Sequence, residues 1–244
     1  MRDPLYMVQM RLPARLAYGS RTHAWEKADP DPGYRMHALL TRLFGEAAPK
    51  PFFAHSRGRE VEILGYSSSD AGALQNLVQL YGEPTLVQAL TRTPPASKPM
   101  PDIPVGQRLG FTVNVVPTVR TCTHRFKKGA EVDAWLAACQ RLPESSPKPL
   151  RQEVYSDWLR ATLRRHGSVQ LHTLEILGMR GVRLERRNAQ GKFCALDQRE
   201  VTFRGVFEVT DADLFRKLLR RGIGRHRAFG FGMVRLSPPG RQGV

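Results

Sequence analysis

Apolar and polar positions divide the first part of the chain into short recurring blocks. Residues 6–12 form a β-prone run. After a polar stretch rich in Asp and Pro, GYRMHALLTRLFG sets Met36, Leu39, Leu40, Leu43 and Phe44 on one face at helical spacing. This predicts a helix that Gly45 stops. PFFAHS and EVEILGYS read as two strands joined by a turn at Arg57-Gly58-Arg59. Asp70 is placed to cap a helix over AGALQNLVQLYG, and residues 85–90 read as a closing strand. The order β-α-β-β-α-β is the ferredoxin-like arrangement.

The pattern then breaks at TRTPPASKPMPDIPVG, where five prolines predict a linker. Beyond it the same order returns with longer inserts. Residues 108–119 read as a strand, 131–140 as a helix, and RQEVYSDWLRATLRRHG as an amphipathic helix after PESSPKP. Residues 169–177 and 201–209 are strand-like, with RGVRLERRNAQGK between them as a basic hairpin or loop. Thr210 is expected to cap DADLFRKLLRRG, and residues 228–236 to form the last strand. The expected fold class is α+β, with tandem ferredoxin-like (RRM-like) domains built on antiparallel sheets. The expected division is an N-terminal domain over 1–92, a linker over 93–105 and a C-terminal domain over 106–244.

Charge adds a direction to this fold. The 244 residues hold 38 Lys+Arg against 22 Asp+Glu, a formal charge of +16, with 41% hydrophobic residues to build a core. An excess of this size favours an anionic partner such as nucleic acid or an acidic membrane face. Counting gives 30 Arg and 8 Lys, so most cations carry a planar fork suited to phosphate; a GC-rich coding sequence also raises Arg. Residues 1–100 carry 12 basic and 9 acidic side chains, and residues 101–244 carry 26 and 13, so the excess of +13 sits in the second half. The three cysteines, Cys122, Cys139 and Cys194, show neither a disulfide framework nor metal-ligand spacing, so no metal and no cofactor are expected. No signal segment or membrane span is apparent, which predicts a soluble cytoplasmic protein without a membrane partner.

The densest local signal is GIGRHRAFGFG, from Gly222 to Gly232, four glycines and three basic residues between a helix and a strand. It fits either a tight helix-to-strand turn or a loop whose N–H groups cradle phosphate. It is neither a P-loop nor a dinucleotide fingerprint. Phe229 and Phe231 alternate with glycines and are expected to pack beneath the loop.

This loop after a C-terminal helix, GIGRxRAFGFGMVRL, together with an N-terminal YxxHxLLxxLF helix followed by a PFF strand, resembles the CasE family of CRISPR RNA-processing endonucleases. That family belongs to the RAMP superfamily of tandem ferredoxin-like proteins and is typical of type I-E systems, with relatives in type IV. The match covers roughly residues 33–66 and 199–236; between them the agreement is in element order.

The resemblance implies an endoribonuclease that cuts a CRISPR repeat stem-loop without metal. The 2′-hydroxyl attacks the adjacent phosphate and leaves a 2′,3′-cyclic phosphate and a 5′-hydroxyl. It implies retention of the mature RNA and association with other Cas effector subunits. His37 falls where the family places its histidine, three residues after Tyr34 and on the same helix face. A histidine suits proton transfer near neutral pH. Read from its residue type alone, His37 is a structural histidine beside an apolar stripe, and Tyr34 a cap on the core. Arg35 is a source of the transition-state cation if no lysine supplies it. Two departures stand out: an insertion over residues 13–32, which either delivers Arg21 or His23 to the site or is a surface loop, and Thr41 where the family has an aromatic residue.

Stem recognition calls for arginines on a helix or hairpin. The expected RNA contacts are His23, Arg42, Arg160, Arg164 and Arg165, with Arg180, Arg183, Arg186 and Arg187 in the basic segment. From the loop they are Gly222, Gly224, Arg225, His226, Arg227, Gly230 and Gly232. Glu153, Asp157, Arg160 and Arg164 equally fit a salt-bridged helix face. The alternative function is a non-catalytic subunit that binds or scaffolds CRISPR RNA; a DNA-binding regulator lacks a helix-turn-helix signal.

Overall fold

Strand β1 (Tyr6–Pro13) alternates its faces, burying Val8, Met10 and Leu12 while Gln9 and Arg11 look the other way. A short helix α1 (Ala14–Tyr18) follows, then α2 (Pro32–Phe44). All five apolar positions predicted for α2 are buried, each contributing about 1.5–3 kcal/mol of transfer free energy. Strands β2 (Phe52–Arg57) and β3 (Glu60–Ser67) form a hairpin whose turn holds Gly58 at φ 60°. Helix α3 (Ala71–Tyr81) begins at Asp70, whose carboxylate accepts from the Ala73 N–H at 2.8 Å. The structure, a computed structural model, describes residues 3–18, 32–121, 130–143, 145–187 and 193–240, without the side chains of 121, 185–187 and 193–195.

The next element differs from expectation. Residues 85–90, read as a strand, lie in helix α4 (Pro84–Arg92), which buries Leu86 and Leu90 one turn apart. Pro84 sits in the first turn, where its fixed φ suits a helix and its missing N–H costs nothing. Burial along one face outweighs the β-branched Thr85 and Val87. The closing strand is β4 (Ala96–Pro99), inside the stretch expected to be a linker. As an edge strand paired only with β1, it tolerates proline. The sheet order is β2-β3-β1-β4, all antiparallel, with α2, α3 and α4 covering one face.

The second half repeats this order. Strand β5 (Arg108–Val115) ends before Pro117, so the single strand expected over 108–119 is split, and β6 (Thr118–Thr121) pairs instead with β7 (Ala130–Asp133). Helix α5 (Ala134–Gln140) is therefore shorter than predicted; Asp133 caps it by accepting from the Trp135 and Leu136 N–H groups. Helix α6 (Arg151–His166) stops at the left-handed Gly167. The basic segment is a hairpin, because β8 (Val169–Arg187) and β9 (Phe193–Val209) stay paired from Val169↔Val209 to Arg187↔Phe193. Helix α7 (Ala212–Arg221) is capped by Asp211, one residue after the expected Thr210. Strand β10 (Arg235–Ser237) is shorter than the 228–236 expected, since the glycines before it hold positive φ and cannot run as a strand. The sheet order β10-β5-β9-β8 matches that of the first half, and both are ferredoxin-like.

The two halves are pinned together. Tyr66, 2% exposed, donates its hydroxyl to the Val234 carbonyl at 2.8 Å, and burial pushes that hydroxyl well above its ordinary pKa. Arg220 reaches back to the Asp3 carboxylate at 2.8 Å and to the Pro4 carbonyl at 2.7 Å. Replacing Tyr66 by Phe leaves the Val234 carbonyl without this donor. It should cost about 1–2 kcal/mol, read as a lower urea midpoint with an unchanged m-value.

Candidate functional site

The segment between α7 and β10 is shaped by glycine. Gly222, Gly224, Gly230 and Gly232 all have positive φ, and His226 joins them at 59°. A Cβ on Gly232 would stand 2.2 Å from the Ile223 carbonyl oxygen, and one on Gly222 2.7 Å from the Gly232 oxygen. The loop thus folds tightly on itself, and the Gly232 N–H ties it to the Asn114 carbonyl at 2.7 Å. These glycines serve close backbone packing, in line with the tight-turn reading.

That packing presents Phe229 to α2. Gly33 in the first turn of α2 lies so close that a Cβ there would be 2.4 Å from the Phe229 oxygen. The Phe229 ring then meets three others: Tyr34 at 6.3 Å and 19°, His37 edge-on at 5.4 Å, and His226 at 6.2 Å. Phe231 is buried with Val116 and Leu184 as expected, whereas Phe229 is only partly covered and forms part of the site.

His37 is half-buried. Its Nδ1 lies 3.3 Å from the Thr41 hydroxyl, one helical turn on, which holds the ring on one side. Burial first, and then the Lys50 ammonium, lower its pKa below the ordinary histidine value. The imidazole is therefore neutral at pH 7, the state in which it accepts a proton. Lys50 stands in the turn before β2, fixed by its N–H donating to the Tyr66 carbonyl at 2.9 Å. The cation acting on His37 is thus a lysine that sequence reasoning missed. Arg35, two residues from His37, is set roughly 200° around the helix from it.

The structure brings His37, Tyr34 and His226 together around Phe229, and scatters the other expected residues. Arg42 pairs with Glu83 at 3.0 Å on the exposed surface, and Arg160 with Asp157 at 3.3 Å. Arg225 pairs with Glu131, whose other oxygen lies 3.8 Å from His226 Nε2. Arg227 donates to the Arg221 carbonyl at 2.6 Å, and Arg180 to the buried Glu200 at 2.5 Å. Arg164 and Arg165 occupy the last turn of α6, and Arg183 lies on the hairpin. Arg186 and Arg187 are on β8, but their side chains lie outside the described residues, as do Arg21 and His23 altogether. One basic patch does converge. Burial first, and then the charges of Arg165, Arg221 and Arg227, depress the pKa of His166 where α6, α7 and the glycine loop meet.

Of the missed residues, Thr41 had a usable signal, a hydroxyl one turn from a histidine. Lys50, alone in a proline-flanked turn, had none.

The family described as CRISPR associated protein matches residues 5–238. No curated protein matches the sequence. Among solved structures, CRISPR endoribonuclease Cse3 bound to a 19 nt RNA aligns with a TM-score of 0.57 at 18% identity, over 96% of this chain and 100% of that one. Thermus thermophilus Cse3, bound to an RNA representing a pre-cleavage complex, gives 0.58 at 19% identity over 96% and 100%. A chain of a CRISPR RNA-guided surveillance complex gives 0.53 at 15% over 95% and 99%. At these identities the likeness is one of fold.

The electrostatics can be tested without a substrate. Changing Lys50 to Ala removes a positive charge near His37, so protonation becomes easier and the pKa should rise toward 6.5. An NMR titration of the His37 ring proton in the two proteins reads this directly.

Proposed function

The chain belongs to the family of CRISPR associated proteins, and from that membership we propose that it is a metal-independent endoribonuclease. It cuts precursor CRISPR RNA beside the repeat stem-loop and keeps the product within a larger assembly of Cas subunits in the cytoplasm. Among the described residues no helix is long and apolar enough to cross a membrane. The observation that carries the reading is the meeting of His37, Tyr34 and the Lys50 charge on one side of α2, where Phe229 of the glycine loop fixes the two rings.

The reaction asks for three things that these groups can supply. The 2′-hydroxyl must lose a proton as it attacks the adjacent phosphorus; neutral His37 accepts it. Negative charge gathers on the non-bridging oxygens, and the Lys50 ammonium offsets it. The 5′ oxygen leaves as a hydroxyl after gaining a proton, with Tyr34 positioned to orient the phosphate or assist this transfer. The products are a 2′,3′-cyclic phosphate and a 5′-hydroxyl.

Grip on the stem falls to the second half, which holds the +13 excess. The patch around Arg165, Arg221 and Arg227 and the hairpin with Arg183 are its two described footholds. The same charge would serve a non-catalytic RNA subunit. What favours an enzyme is a neutral histidine held next to a lysine, an arrangement that simple binding does not require.

Replacing His37 by Ala should slow cleavage of a repeat hairpin by about 10²–10⁴-fold while leaving hairpin affinity unchanged; a gel assay in EDTA reads both. A 2′-deoxy nucleotide at the cut should abolish cleavage, and persistence of cutting there would sink the mechanism. Because His37 acts unprotonated, the rate should fall on the acid side with a midpoint below 6.5. In the Lys50→Ala protein that midpoint should move up.

A further inference from the structure

Beside the His37 face lies a cleft of about 760 Å³ that the proposed reaction leaves unused. Strand β2 lines one side with Phe53 and His55, and the C-terminal sheet lines the other with Asn114, Thr202, Glu200 and Arg180. Phe53 and His55 are two residues apart and so share a strand face. Their rings are nearly parallel, at 9°, with centroids 6.2 Å apart. The Arg235 guanidinium covers Phe53 at 3.7 Å and donates to Asn114 Oδ1 at 2.6 Å. Phe53 is therefore fixed and covered, and exposed His55 presents the accessible ring.

Across the cleft, Glu200 is only 4% exposed and accepts from Asn114 Nδ2 at 2.6 Å and from Arg180 Nε at 2.5 Å. Its charge is compensated within the protein, and its effect is to orient Arg180, whose side chain remains 75% exposed. An exposed flat ring facing an oriented guanidinium asks for a ligand with a planar π-face and an anionic group. An unpaired nucleotide carries both.

We propose that this cleft holds one unpaired nucleotide of the RNA next to the cleaved phosphodiester, its base stacked on His55 and its phosphate on Arg180. The proposal rests on the reading of the protein as an RNA endonuclease. Gly33 and Met36 of α2 and Phe229 line the same cleft, and Phe229 also touches His37. The cleft and the His37 face thus share the Phe229 ring. Two-sided confinement distinguishes this subsite from the open basic patch on the second half.

The test uses the full protein and the stem-loop repeat RNA of the accompanying array. 2-Aminopurine, or an abasic residue, is placed at the unpaired nucleotide flanking the cut. Stacking should quench 2-aminopurine on binding; His55→Ala should lose the quench and bind about tenfold more weakly, and His55→Phe should keep both. The abasic RNA should bind wild-type protein about tenfold more weakly and His55→Ala no more weakly still, since both changes remove one contact. Wild-type cleavage with equal quench and affinity in His55→Ala overturns the subsite and leaves the endonuclease standing. A wild-type protein that neither binds nor cuts the hairpin overturns both.

Discussion

Everything at the site depends on how closely a loop can approach the first turn of a helix. Gly33 leaves no room for a Cβ between itself and the Phe229 oxygen, and the loop carrying Phe229 closes only because Gly222 and Gly232 accept positive φ and backbone contact. A side chain at any of these positions would push loop and helix apart. The rings of Tyr34 and His37 rest on Phe229, so their placement follows from a backbone distance. Two chain segments some two hundred residues apart thereby build one constellation, which is why it needs the fold of both halves.

The same constraint explains the firm junction between the halves. Tyr66 reaches across to Val234 just after the glycine loop, and its backbone also holds Lys50 and Pro51. One residue therefore ties the base of the loop to the turn that delivers the lysine. Electrostatics then completes what packing begins: burial and the lysine keep His37 neutral, while the bulk of the cationic excess stays in the other half. This division leaves a large positive field on one half while a single lysine bears on His37 in the other.

Where hydrophobic period and a stop signal agreed, the sequence was readable. Helix α2, with five buried positions and Gly45 after it, is the clearest case, and the Asp70 cap another. The α4 and β4 segment was not, because β-branched residues suggested a strand and prolines suggested none, whereas helix-face burial and an edge position decided both. The resemblance pointed to His37 and Tyr34, whose rings the structure brings together on Phe229. It could not supply Lys50 or the cleft residues, which share no spacing and meet only once two sheets face each other. Many arginines that looked available by composition are engaged with carboxylates or carbonyls, a matter of neighbours across strands that linear order hides.

The β8–β9 ribbon outruns the sheet that supports it. Strand β5 pairs with β9 only as far as Val115↔Val201, yet β8 and β9 continue from Arg180↔Glu200 to Arg187↔Phe193. At about 3.3 Å per residue that overhang reaches on the order of 25 Å. Among the described residues no third strand pairs with it there, but its root is held by packing, with Leu184 buried against Val116 and Phe231, so any change in its length must leave that contact in place. Faces alternate with a period of two, so a change that keeps the ladder regular adds or removes residues in pairs on both strands; a single extra residue needs a register shift such as those at Leu171/Thr173 and Ile176/Gly178. Without such shifts the reach of the arm changes in steps of roughly 7 Å beyond the Leu184 contact.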